Sequence, residues 1–509
     1  MNTFKKNSLY LAVAGASALA AGSAQAVALN ADGLGNVLLY PYYTVREPSA
    51  GNAYNSLLSV VNSTNSGKAV KVRFLEGKNS REVLDFNLYL STKDVWVAGI
   101  IPTLDGAGIV TNDTSCTDGV VSTDDNNPTP FVNYAYTGAY DDPANDDLDR
   151  VREGYVEIIE MGTMWGYGEK VITHVSGATP RQPLNCDYVR LLAAQGNLDY
   201  YISGLSGGLF GTMTLINVGT GMDFGYDATA LAEFNGQAEN LYADPGSIEP
   251  NLNAALPISL VINHQVGTGT QGYAYVTTWD VPGNKPVDAV SAVLMHDHIY
   301  NEFVLDKGTA SGTDWVVTMP TKGVPDAYFN SKYGTMGSPG DKELKVTRLF
   351  QRNFKETGSC DDIDLSKYDR EEKLDKVVSS FSPPPPGGRD SLCWEANVIT
   401  FRGSNVLGSI NRLNVANASF TFENGWADLS FTNSGTSTYL YHQLGGGYTT
   451  QIYLSNGSTN WWQSATYYGL PVIGFAAITF SNGNVNGVAS NFGGNFNHKY
   501  TRDVQGYNY

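Results

Sequence analysis

From Ala69 to Phe74, and again from Leu84 to Leu90, apolar and polar residues take turns along the chain. Val70, Val72 and Phe74 fall on one face, with Lys71 and Arg73 on the other. Leu84, Phe86, Leu88 and Leu90 then alternate with Asp85, Asn87 and Tyr89. A period of two is the period of a strand, and it predicts one face in a core and the other in water. Ser56 to Val61 is an apolar run, and the turn cluster Asn62-Ser63-Thr64-Asn65-Ser66-Gly67 separates it from Ala69 to Phe74. The two runs are therefore expected to form a hairpin. Three antiparallel strands in so short a span predict the start of a β-sandwich. Composition extends this reading to the whole chain. Charged residues make up 16% of the 509, below the roughly 25% of a typical globular protein, while Gly (55) and Tyr (31) are abundant. That balance suits sheets joined by many turns better than helices rich in Glu, Lys and Ala.

The rest of the chain divides by texture. Residues 103–150 are a long excursion rich in Asp, Asn, Thr, Gly and Pro, uncommon inside a compact domain. Strands are expected at Tyr155 to Ile159, Phe210 to Val218, Ala228 to Phe234, Ala289 to Leu294, Asp314 to Met319 and Leu470 to Phe480, and a short helix at Cys186 to Gln195. Leu57 to Asn62 and Thr212 to Asn217 echo each other as apolar runs ending in Asn, which suggests a second sandwich. From Tyr368 to Phe381, Leu374, Val377, Val378 and Phe381 recur at helical spacing, and Ser382 with Pro383 to Pro386 stops that helix. Asn424-Gly425, between Ala418 to Phe422 and Ala427 to Phe431, suits a type I′ hairpin turn, and so does Asn482-Gly483.

The expected architecture is all-β. It comprises multiple antiparallel β-sandwich units, immunoglobulin-like or jelly-roll-like, with a small helical, disulfide-stapled excursion. The segments are 1–26 (leader), 27–204 (N-terminal sandwich with a long acidic loop), 205–344 (second β-rich region), 345–395 (helical and Pro-rich excursion) and 396–509 (C-terminal β-rich region).

Lys5 and Lys6, the apolar stretch Leu9 to Ala21 and the small-x-small site Ala24-Gln25-Ala26 read as a secretory leader, cleaved before Val27. The apolar stretch is shorter than the roughly 20 residues of a bilayer-spanning helix, so no transmembrane span is expected after cleavage. The four cysteines, Cys116, Cys186, Cys360 and Cys393, form no CxxC pair. In an oxidising compartment they predict two disulfides; of the three pairings, Cys116–Cys186 and Cys360–Cys393 are favoured, since each closes one polar loop. The net charge of −18 repels nucleic acid and anionic lipid and is compatible with divalent cations.

Few constellations could carry chemistry. His296-Asp297-His298 is the only cluster among six histidines. On one strand the two imidazoles would share a face about 6–7 Å apart, able to chelate a metal with Glu302 or His264; two ordinary histidines at a polar strand end is the plainer reading. Asp141, Asp142, Asp146, Asp147 and Asp149 offer hard oxygens to Ca2+, but without the spacing of an EF-hand, and solvated acidic loops account for them as well. Trp461, Trp462, Tyr467 and Tyr468 form an aromatic cluster that could stack on sugars or on a neighbouring subunit. Adjacent Trp residues in a strand face opposite sides, so one of the two belongs to the core. Ser206-Gly207-Gly208 and His174-Val175-Ser176-Gly177 read as turns, neither as a G-x-S-x-G nucleophile elbow, and no catalytic residues are assigned.

Two sets of residues carry a family likeness. One is Tyr40-Pro41-Tyr42-Tyr43-Thr44 with Val70 to Gly77 and Val83 to Leu90. The other is Gly469 to Phe475 with Asn491-Phe492-Gly493-Gly494 and His498. Together they resemble a family of exported proteobacterial proteins, some labelled cell-surface proteins. The resemblance covers both ends of the chain and is weak between them. It implies a Gram-negative envelope location (periplasm, outer-membrane surface or outside the cell) and brings no catalytic residues. The expected function is a non-enzymatic structural or surface-assembly role, layer- or filament-forming and assisted by Ca2+. The expected partners are other copies of the chain, cell-surface components or glycans. The alternatives are a secreted carbohydrate-binding module and a secreted hydrolase.

Overall fold

The computed structural model describes residues 25–508 except 176, 178–180, 237–238, 265–271, 324–348, 351–353, 376–389, 417–419, 433–441, 455–456 and 486–487. The leader up to residue 24 and the Pro383 to Pro386 linker lie outside the described residues. The elements used below are, in chain order, β1 (Val37–Thr44), β2 (Asn55–Asn62), β3 (Gly67–Glu76), β4 (Glu82–Leu90), β5 (Glu153–Met164), α1 (Cys186–Ala194), β6 (Thr212–Asn217), α2 (Pro286–Leu294), β7 (His298–Val304), β8 (Gly312–Thr318), β9 (Asp361–Asp369), β10 (Asn424–Ser430), β11 (Ile473–Val485), β12 (Val488–Asn497) and β13 (Lys499–Thr501).

The protein is all-β, built from stacked antiparallel sheets. A 12-stranded sheet carries β1, β5, β3 and β4 as consecutive neighbours, and a 7-stranded sheet carries β6 and β2. Their facing apolar residues, among them Leu38, Val60, Val72, Phe74, Phe86, Trp96, Ile158 and Leu215, form one buried core. A second core lies under the 6-stranded sheet of β9, β10, β7 and β13 and the 5-stranded sheet of β8, β11 and β12. The 12-stranded sheet draws strands from three of the expected segments, including Thr229–Ala232, Ile258–His264 and Thr449–Tyr453.

The disulfides pair as expected, Cys116–Cys186 and Cys360–Cys393. The helix at Cys186 also forms, with the Asn185 side chain accepting a hydrogen bond from the Tyr188 amide as its N-cap. It is the helix that a disulfide staples.

Several local expectations are corrected. β2 and β3 are not a hairpin: β2 pairs with β6, with Leu58 opposite Met213, while β3 pairs with β4 and β5. The turn cluster crosses from one sheet of the sandwich to the other. The echo of β2 in β6 is thus two neighbours in one sheet and not a second unit. The Lys71 and Arg73 face of β3 is not in water either. Both side chains are fully buried, because acids on β4 and β5 neutralise them and the 243–244 backbone covers them.

Ala289 to Leu294 belongs to helix α2, where Pro286 stands in the first turn and the Asp288 carboxylate accepts from the Lys285 amide. The helix expected from Tyr368 is absent over its described part: Tyr368 and Asp369 end β9, and Leu374–Asp375 form a strand pairing back onto it. Residues 376–381 lie outside the description. Asn424-Gly425 opens β10 instead of turning, with Gly425 between Phe303 and Asp369 in the ladder. A Cβ on Gly425 would meet the Tyr368 carbonyl, so this close approach requires glycine. Asn482 and Gly483 lie within β11, and the chain reverses between Val485 and Val488.

Candidate functional site

His298 opens β7, and strand alternation sends Ile299 and Phe303 into the core while His298, Tyr300 and Glu302 take the opposite face. On β10, Ala427 and Leu429 go inward, and Trp426 and Asp428 outward. On β9, Ile363 and Leu365 go inward, and Asp364, Ser366 and Tyr368 outward. The register then fixes the rows. His298 lies opposite Ser430, and Ser430 opposite Asp364; Tyr300, Asp428 and Ser366 form the next row; Glu302, Trp426 and Tyr368 the third. On the far side of β7, Thr501 stands opposite His298 and Lys499 opposite Tyr300.

The rings on this face form a continuous path. His298 and Tyr300 lie 5.9 Å apart and nearly parallel, Tyr300 is 6.3 Å from Trp426, and Trp426 stacks on Tyr368 at 4.4 Å. Trp426 remains 41% exposed. Carboxylates, hydroxyls and an exposed ammonium border the rings: Asp428, Asp364, Ser366, Thr501 and Lys499.

His298 is held rigidly. Its Nδ1 lies 2.6 Å from the Asp428 carboxylate. Burial pulls the imidazole pKa down, but the hydrogen bond and charge of Asp428 prevail and leave it above the ordinary histidine value. Ser430 Oγ lies 3.4 Å from His298 Nε2, which lines up serine, histidine and aspartate. The serine is not poised to attack, however. Its hydroxyl donates to the Thr432 carbonyl at 2.5 Å and accepts from the Thr432 amide at 3.3 Å. A hydroxyl committed to its own turn hands no proton to the imidazole.

The other expected site residues are dispersed. His296 does not share a face with His298. It pairs with Leu470 in a separate two-residue strand, is buried and stacks on Tyr500 at 4.0 Å. Burial and the nearby Arg502 charge hold its pKa well below the ordinary value. Among the described residues no three His, Cys, Asp or Glu side chains converge in a metal-holding group. The acidic loop spends its charge on arginines. Asp142 is buried against Arg150 at 2.8 Å, and Asp149 pairs with Arg46 at 2.6 Å. Asp146 and Asp147 lend backbone carbonyls to Asn133 and Tyr136, and Asp141 follows a short 3-10 turn. The aromatic cluster also splits. Trp461 points outward and Trp462 packs towards the core near Tyr275. Tyr467 is buried against Trp279, and the Tyr468 hydroxyl meets that of Tyr507.

Gly204-Leu205-Ser206-Gly207-Gly208 has the spacing of a nucleophile elbow, a match the turn reading passed over. The structure gives it another task. The Ser206 and Gly207 amides donate to the Glu160 carboxylate at 2.9 and 2.8 Å, and buried Lys68 bridges Glu160 and Ser206. Lys68 and Ser206 are thus both engaged in holding Glu160 in the interior. Tyr300, Tyr368, Trp426 and Asp428 were also missed. Their signal is polar or aromatic residues two apart, as in His298-x-Tyr300-x-Glu302 and Trp426-x-Asp428-x-Ser430.

No family model, curated protein or solved structure matches the chain.

Proposed function

We propose that this chain is an exported, non-enzymatic protein of a Gram-negative envelope that binds glycans on the face of β7, β10 and β9. One observation carries the reading: the ring path from His298 through Tyr300 and Trp426 to Tyr368, bordered by Asp428, Asp364 and Lys499. Flat rings offer apolar area to the C–H faces of sugars, and the bordering groups exchange hydrogen bonds with their hydroxyls. Export is supported by the leader-like residues 1–26 and by two disulfides, which persist outside the cytoplasm. Among the described residues no helix is long and apolar enough to cross a membrane.

A glycan array followed by titration calorimetry tests this on the chain from Val27. At least one glycan should bind, and Trp426→Ala should weaken it about tenfold or more, the scale of one lost ring contact. Trp461→Ala, outside the face, should leave affinity unchanged. Binding that ignores Trp426 would overturn the reading, as would an array without a hit.

A second reading is assembly of copies at the cell surface. It is favoured by the strand Thr459–Trp462, which ends the 12-stranded sheet and carries Trp461 at 73% exposure. Electron microscopy with and without Ca2+ should then show ordered arrays, and monomers under every condition would count against it.

A further inference from the structure

Lys322 follows the end of β8, in the 5-stranded sheet, and Asp361 opens β9, in the 6-stranded sheet. Both side chains are buried, and Lys322 Nζ lies 2.8 Å from the Asp361 carboxylate. Nζ also donates to the Ser359 carbonyl at 2.5 Å, and the Phe350 ring stands 5.3 Å from it. Among the described residues no other donor hydrogen-bonds that carboxylate. His442 stands beside it. The ring is 6% exposed, its Nδ1 lies 3.9 Å from Asp361 Oδ1, and neither ring nitrogen has a hydrogen-bond partner among the described residues. Buried polar groups are normally paired, so an imidazole left bare next to an ion pair asks for a reason.

The other buried lysines lack this combination. The partner of Lys68, Glu160, also accepts from Asn36 and from the Ser206 and Gly207 amides, which hold it as an anion. The partner of Lys71, Asp85, accepts from the Gly246 amide and lines an open cavity. Lys367 and Asp375 are 3.4 Å apart. Around Lys322 the neighbours are mostly uncharged. Burial keeps the His442 imidazole below the ordinary histidine value, so it is a neutral base at pH 7. Burial likewise raises Glu395 to about 8, so at pH 7 it adds no negative charge to hold the ammonium. An amine and a carboxyl fixed in contact away from water react as if at very high concentration. We propose that Lys322 and Asp361 condense into an intramolecular amide, an isopeptide crosslink, with His442 as the proton carrier. Lys322 first passes one proton to the carboxylate, giving an amine and a carboxyl. Nζ attacks Cγ and the Nζ–Cγ bond forms. His442 takes the second Nζ proton and returns it to the departing hydroxyl. The Cγ–O bond breaks, one water leaves, and the amide keeps one N–H; nothing is oxidised or reduced. The crosslink ties β8 to β9 beside the Cys360–Cys393 disulfide. It is independent of the β7–β10–β9 face.

Intact mass spectrometry of the chain from Val27, with its disulfides reduced, tests this without any variant. The protein should be lighter than its sequence by the mass of one water. Tryptic digestion should then give one branched peptide, uncleaved at Lys322 and joined through it to Asp361. Lys322→Arg keeps a cation beside Asp361 but does not give up its proton, and should show the full sequence mass. His442→Leu should slow the loss of water about tenfold or more and leave a full-mass fraction that the parent chain lacks. The parent chain at full mass would overturn the proposal even if neither variant folds. So would a missing water located elsewhere, such as a cyclised Asp or Asn, or one that persists in Lys322→Arg. Complete crosslinking in His442→Leu would overturn the part given to the imidazole.

Discussion

Charge is scarce in this chain, and much of it is spent in buried pairs. Lys68 with Glu160, Arg150 with Glu76 and Asp142, and Lys322 with Asp361 lie in the interior. Such pairs are costly to break, since the partner left behind is a buried charge. Glu395 differs from them: it is fully buried, its Oε2 accepts from the Gly323 amide at 3.1 Å, and its Oε1 has no partner among the described residues. Burial pushes its carboxyl up to about 8, against the opposing pull of Lys322. A carboxyl raised in the folded state favours folding while it stays protonated. That contribution is full below the ordinary carboxylate range and is lost as pH rises towards about 8. Glu395→Gln should therefore raise stability at pH 8.5 by about 2 kcal/mol and change it little at pH 5, measured by urea denaturation. An equal effect at both pH values would contradict this account of Glu395. His298 has the opposite character, with a hydrogen bond that favours its charged form. Its ring proton signals should titrate above the ordinary histidine value in an NMR series. Asp428→Asn should lower that midpoint, because burial is then opposed only by the charges of Asp297 and Asp364. A midpoint unmoved by Asp428→Asn would show that the pair does not form.

At the level of elements, alternation made most strands legible and misled where a second signal was needed. The period of β3 and β4 shows in the residues, but not that both faces of β3 are covered, because ion-pair partners come from distant strands. Leu374, Val377, Val378 and Phe381 have helical spacing, yet Tyr368 and Asp369 are held in a sheet by their pairing with Trp426 and Gly425. Tertiary pairing of that kind overrides local period. Helix α2 was misread because its apolar residues run on without a polar face, and all from Val287 to Leu294 are buried. Its start was legible in Lys285-Pro286 and Asp288. Its end was not, because the cap comes from the far end of the chain. The partly buried Arg502 guanidinium donates to the Val293 carbonyl at 2.8 Å and the Met295 carbonyl at 3.0 Å. Cations near helix C-termini satisfy orphan carbonyls and oppose the dipole. Arg502→Met keeps much of the volume and leaves those carbonyls bare. It should cost about 2–4 kcal/mol by chemical denaturation. A loss below about 0.5 kcal/mol would mean the carbonyls find other partners. The candidate face was legible only in part for the same reason: His298 stood out as a motif, but Trp426 and Tyr368 join it through register, which no local pattern encodes.

Across the whole molecule, contacts between distant segments outweigh the texture that divides the sequence. Val27–Leu29 lies between Thr229–Ala232 and Ile258–His264, with Ala28 opposite both Ala232 and Leu260. The Tyr54 hydroxyl reaches the Val406 carbonyl at 2.9 Å, and Thr318 reaches the Pro41 carbonyl at 2.6 Å. The Glu395 and Ala396 amides both donate to the Gly77 carbonyl. The first core mixes Leu38 and Val60 with Val316, Val398 and Phe475, so removing the last third of the chain would expose its interior. Sheets whose neighbours come from opposite ends of a chain close long loops before any contact compensates. A piece ending at residue 204 would keep β3, β4 and β5 but lose β6 beside β2 and the strands flanking Val27. Expressed alone, residues 27–204 should lack a dispersed amide NMR spectrum, while the chain from Val27 to Tyr509 should unfold in one dominant calorimetric transition. A well-dispersed spectrum from that piece, or two separated transitions in the long chain, would show that the segments fold apart and that their shared sheet is a late docking of finished units.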